Sequence, residues 1–61
     1  MYERFLQLLK KTGEKPVDVA KATGIYPSLF TEWKNGKCKP KADKLLLIAR
    51  HFGVNVEYFL N

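Results

Sequence analysis

The chain has 61 residues, enough for one small domain whose length leaves it near the lower limit for folding unaided. One cysteine, Cys38, and one histidine, His51, exclude an internal disulfide and a four-ligand structural zinc site, so the 46% hydrophobic content must build the core that holds the fold. Eleven Lys and Arg against six Asp and Glu give a net charge of +5, which calls for a polyanionic partner without saying which one.

Gly13, Pro16, Gly24, Pro27, Gly36, Pro40 and Gly53 cut the chain into segments of helical length. In the first, Tyr2 to Thr12, Phe5, Leu8 and Leu9 recur at helical spacing and Leu6 widens the stripe. Lys10 and Lys11 suit its last turn, and Gly13 can take the left-handed stop. The second helix runs from Pro16 to Thr23, with Val19 and Ala20 inward, and Gly24 closes it. Ile25 follows the turn as a further core residue. The third spans about 27–35, with Phe30 and Trp33 on one face and Gly36 beyond its end. The fourth, Ala42 to Phe52, places Leu45, Ile48, Ala49 and Phe52 at helical spacing before Gly53. Asn55 is a good N-cap for a short last turn, from which Phe59 and Leu60 fold back on the core. No segment alternates with a period of two. The expected fold is all-α, a compact bundle of five short helices forming a single domain over 1–61.

Charge is concentrated. Lys34, Lys37, Lys39, Lys41 and Lys44 lie within eleven residues against Asp43 alone, so this stretch carries +4 of the +5. The third helix itself is neutral, with Glu32 against Lys34. Two short helices joined by a tight turn containing Gly form the helix-turn-helix pattern. Ala20 is small where the helices cross, Gly24 supplies the turn, and Ile25 plugs the space between them. With Phe30 and Trp33 inward, Pro27, Ser28, Thr31, Glu32 and Asn35 point outward. Short polar side chains there suit base edges in a major groove about 12 Å wide.

From Phe5 to Leu60 the chain resembles the phage-repressor-type helix-turn-helix family, also called the Cro or Xre type and lambda-repressor-like. The resemblance rests on Trp33-Lys34-Asn35-Gly36, then Pro40-Lys41-Ala42-Asp43-Lys44-Leu45, Ile48-Ala49 and Phe52-Gly53-Val54, all in register. It implies a five-helix fold, a third helix that enters the major groove, a following loop that grips phosphate, and two copies on a roughly palindromic operator. Carried over by position, Pro27, Ser28 and Glu32 match the main base-reading positions, with Tyr26 and Thr31 flanking them. Asn35 and Lys37 match phosphate-contacting positions, with Lys34, Lys39 and Lys41 nearby. Pro16 stands where the family often has Gln, so Lys15 is the phosphate contact expected at the start of helix two.

Several residues carry two readings. Glu32 can accept from a cytosine amino group or serve as a solvated partner for Lys34 or Lys37. Tyr26 can touch a sugar, a phosphate or a thymine methyl, or buttress helix two. Trp33 is a core anchor. Leu29 stands where the family often has a small polar residue. Leu47, with Tyr58 and Phe59, is the candidate dimer or domain contact. His51 suits a helix C-terminus, and neither it nor Cys38 has partners for catalysis. No Ser/His/Asp set, carboxylate pair or Gly-rich phosphate loop is present, so no enzyme, cofactor or small-molecule site is expected. The longest apolar run, Leu45 to Ala49, is too short to span a membrane, and the first residues lack a signal-peptide layout, so a cytoplasmic location is expected. The expected function is sequence-specific binding of double-stranded DNA by a homodimeric transcriptional regulator, a repressor. The alternative is a protein-interaction module on the same fold, such as an anti-CRISPR protein, an antitoxin piece or a dimerisation unit. A third possibility is the N-terminal domain of a longer repressor.

Overall fold

The computed structural model describes residues 1–60. Four α-helices follow one another: α1 (Tyr2–Thr12), α2 (Pro16–Thr23), α3 (Pro27–Lys34) and α4 (Ala42–Phe52). The expected fifth helix is a single 3-10 turn, Val56–Phe59, so the bundle has four α-helices rather than five. Four residues are too few for α-helical hydrogen bonds to propagate, and the i→i+3 pattern tightens the segment instead. Asn55 precedes this turn but makes no side-chain capping bond.

Glycine ends α1 and α2 by one shared device. In each helix a Thr-Gly pair closes the last turn. Thr12 and Thr23 donate their hydroxyls to the Leu8 and Val19 carbonyls, at 3.0 and 2.7 Å. Gly13 and Gly24 then adopt positive φ and donate their N–H groups to Leu9 and Ala20. At the start of α2, the Asp18 carboxylate accepts the Lys15 backbone N–H at 2.9 Å.

The core draws on every element. Phe5, Leu8 and Leu9 come from α1, Val19 and Ala20 from α2, and Ile25 from the turn. Phe30 and Trp33 come from α3, Leu45, Ile48 and Ala49 from α4, and Phe59 from the last turn. Phe5 is fully buried at the centre of an aromatic cluster. Its ring lies 5.2 Å from Phe30, 5.1 Å from Trp33 and 6.0 Å from Phe52. α2 packs on both α3 and α4, while the 3-10 turn packs on α1 and α4. Phe52 is only partly buried, at the edge of the core. Leu60 does not fold back. It is 66% exposed, because the chain passes the core with Phe59 and turns outward one residue later. Leu6 lies at the margin of the α1 stripe, 38% exposed.

A polar contact also ties α4 to the α1–α2 connection. His51 Nε2, near the end of α4, lies 2.7 Å from Glu14 Oε2 in the α1–α2 connection. His51 therefore pairs with a carboxylate besides lying at a helix C-terminus.

Candidate nucleic-acid interface

The α2–α3 unit is set by Gly24 and Ile25. Gly24 has φ of 77°, a conformation that costs a residue with a Cβ about 1 kcal/mol. Three residues connect α2 to α3, and the Ile25 side chain among them is buried in the core. Tyr26 precedes α3 with extended backbone and no side-chain capping bond, and its carbonyl accepts the Leu29 N–H at 3.0 Å. Pro27 occupies the first helical position, where its missing N–H has no helical partner to lose.

With Phe30 and Trp33 buried, the opposite face of α3 is open. Pro27, Ser28, Thr31, Glu32 and Asn35 are all exposed, the outward orientation that the helical spacing predicts. Tyr26 is 81% exposed, so its ring does not buttress α2. Leu29 is half-buried and packs against the core. Glu32 makes no ion pair with Lys34 or Lys37 among the described residues.

The basic loop is held more firmly than its composition suggests. α3 ends in a paired carbonyl-capping arrangement around Gly36, whose φ is 76°. The Gly36 N–H donates to the Trp33 carbonyl at 3.1 Å and the Lys37 N–H to the Glu32 carbonyl at 2.9 Å. Pro40 is buried and pins the far side of the loop. Lys34, Lys37, Lys39, Lys41 and Lys44 are all exposed, and none pairs with a carboxylate among the described residues. Their ammonium groups are available to an external anion. Lys15 is exposed as well, at the first turn of α2. Its backbone N–H is occupied by Asp18, so its ammonium is what it can offer. Pro16 lines a cleft with Tyr2, Phe30, Thr31 and Lys34, which places the start of α2 beside the outer face of α3.

A family profile described as a Cro/C1-type HTH DNA-binding domain matches residues 4–60. The chain belongs to this DNA-binding family. No curated protein and no solved structure matches it. The family assignment agrees with the helix-turn-helix formed by α2 and α3. No helix among the described residues is long and apolar enough to cross a membrane.

This Cro/C1-type domain contains features that the residue spacing does not reveal. Lys44, in the first turns of α4, lines a cleft with Ser28, Leu29 and Glu32 of α3. Its place in the lysine cluster is a signal of charge. Only the folding of α4 against the helix-turn-helix unit brings it beside the candidate base-reading residues. The dimer candidates separate. Leu47 is 37% exposed, and the adjacent Leu46 is 40% exposed. Tyr58 is half-buried and engaged with α1: its hydroxyl donates to Gln7 Oε1 at 3.2 Å, and the Arg4 guanidinium lies 5.3 Å from its ring centre. Phe59 is 1% exposed and belongs to the core, so it offers no surface for a partner. Its burial follows from the final turn, which directs this aromatic ring towards Trp33.

Two groups near the chain start titrate away from their ordinary values. Burial raises the Tyr2 phenol above 10.0. Glu3 is lowered from 4.5, first by its own backbone N–H and then by the Met1 ammonium 3.0 Å away.

Proposed function

We propose that this domain binds double-stranded DNA sequence-specifically as a transcriptional repressor, with α3 in the major groove. The observation that carries this reading is the division of α3 and its flanks. A neutral exposed helix face adjoins a well-anchored loop whose lysines have no internal carboxylate partner. Phosphate contacts position a reader and base contacts specify its site, and this arrangement serves both tasks.

In this reading Ser28, Thr31 and Glu32 meet base edges, with Tyr26 and Pro27 at the leading end of the helix. Glu32 accepts from a cytosine amino group, the pairing that suits a carboxylate in the major groove. Lys34, Asn35, Lys37, Lys39 and Lys41 hold phosphates on one flank, and Lys15 holds one at the start of α2. The active form is a homodimer on a roughly palindromic operator, with half-sites about 34 Å apart. Leu47 is the contact candidate that the fold leaves most accessible.

Selection from random duplex DNA at about physiological salt tests the proposal. An enriched inverted repeat is expected, and its spacing reports the dimer geometry. Recovery of no preferred sequence would reject specific DNA reading and favour a protein partner.

A further inference from the structure

The face of α4 turned away from the core carries a stripe of four residues, Asp43, Leu46, Leu47 and Arg50, at i, i+3, i+4 and i+7. All four are exposed, the two leucines included. Leu45, Ile48 and Ala49 take the opposite face and are buried. Asp43 and Arg50 lie two turns apart, about 10 Å along the helix axis, too far to pair with each other. One turn inward from each, where an intrahelical partner would stand, the stripe holds the leucines instead. Neither Asp43 nor Arg50 makes an ion pair among the described residues. Asp43 is also the one carboxylate set among the five lysines between Lys34 and Lys44.

Resting on the homodimer reading above, we infer that α4 packs antiparallel against α4 of a second copy of this chain, about a two-fold axis midway between Leu46 and Leu47. The stripe is self-complementary under that operation. Asp43 stands as far before the axis as Arg50 stands after it, so Asp43 meets the partner's Arg50 and Arg50 meets the partner's Asp43. Leu46 meets the partner's Leu47 in the same way, and the leucines close the centre of the contact. A closed two-fold dimer requires this kind of self-matching patch. A parallel pairing would instead set Asp43 against the partner's Asp43 and Arg50 against the partner's Arg50. Antiparallel packing also lays the N-terminal end of each helix dipole beside the C-terminal end of the other. The contact is small, because α4 has 11 residues and is about 16 Å long. One such helix pair covers less than the roughly 1,200 Å² that stable specific interfaces bury. The dimer is therefore weak in free solution and forms on the operator, where two adjacent half-sites raise the effective concentration of the protomers.

The test exchanges the charges, in Asp43→Arg, in Arg50→Asp and in the variant carrying both changes. Sedimentation equilibrium of the free protein at about millimolar concentration reads the contact without DNA. On the selected operator, the ratio of affinities for the full inverted repeat and for one half-site reads it again. That ratio cancels the general effect of altered charge on DNA binding. Each single variant sets like charges against each other twice across the axis, so its dimerisation and its ratio should both fall about tenfold. The double variant restores both pairs and should recover the parent values. An equimolar mixture of the two single variants should also dimerise like the parent, because their heterodimer pairs Arg with Asp at both contacts. Circular dichroism checks the fold of each variant. Asp43→Asn and Arg50→Gln, which remove charge without reversing it, replace any variant that unfolds and should show a smaller loss. Parent-like dimerisation in both single variants overturns the inference, as does a loss that neither the double variant nor the mixture restores. A parent that stays monomeric at millimolar concentration and fills the two half-sites independently overturns it as well. Selection that enriches no sequence overturns the DNA-binding reading. Sedimentation then decides this inference by itself: the charge-swap pattern supports it and a monomer overturns it.

Discussion

At the scale of single residues, Trp33 and Gly36 show two different kinds of necessity. Trp33 is 4% exposed, with its ring 5.2 Å from Tyr2 and 5.1 Å from Phe5. Trp33→Ala should cost about 3–5 kcal/mol through lost burial and the cavity left behind. A domain of this length has a total stability of only roughly 3–9 kcal/mol, so urea or thermal unfolding should show a largely unfolded or severely weakened variant. Gly36 acts through backbone conformation. Nothing lies within 4 Å of the position a Cβ would take, so the cost of Gly36→Ala comes from positive φ alone, about 1 kcal/mol. Gly36→Asn should cost less, because Asn tolerates the left-handed region better than Ala. Equal losses for the two variants would contradict this account.

At the scale of elements, α3 and the loop after it should respond differently to substitution. Lys37→Ala should weaken binding to all DNA sequences alike, whereas Ser28→Ala should change the preference among sequences. Competition binding with specific and random duplexes separates these outcomes. An unchanged preference in Ser28→Ala would remove that residue from base reading. Elsewhere, the Glu14–His51 contact joins the α1–α2 connection to the end of α4. It should contribute about 0.5–1.5 kcal/mol, since both groups are only partly exposed. A double-mutant cycle of Glu14→Gln and His51→Ala, followed by denaturant unfolding, measures that coupling.

At the scale of the whole molecule, charge and assembly are linked. If each protomer neutralises about three to four phosphates, the log–log dependence of dimer binding on salt should have a slope of roughly −6. A slope near zero would contradict the phosphate-binding role of the lysine loop. Leu47→Glu should weaken assembly on the operator, as sedimentation and operator binding would show, while leaving the folded monomer intact. Unaltered assembly would exclude Leu47 from the dimer contact.

The helix boundaries and most of the core were readable from local pattern, because apolar spacing and glycine stops act over a few residues. Phe5, Leu8, Leu9, Phe30 and Trp33 share helix faces that any α-helix would create. The open face of α3 followed from the same periodicity, and the lysine concentration followed from counting. Those features, with the family motif, determined a helix-turn-helix DNA-binding domain. Short-range pattern could not reveal how the ends of helices meet elements distant in sequence. The tertiary structure decided that Glu14 meets His51 and that Lys44 adjoins Ser28 and Glu32. It also buried Phe59 and left Leu60 exposed, because the direction of each side chain in a short 3-10 turn depends on where the turn docks.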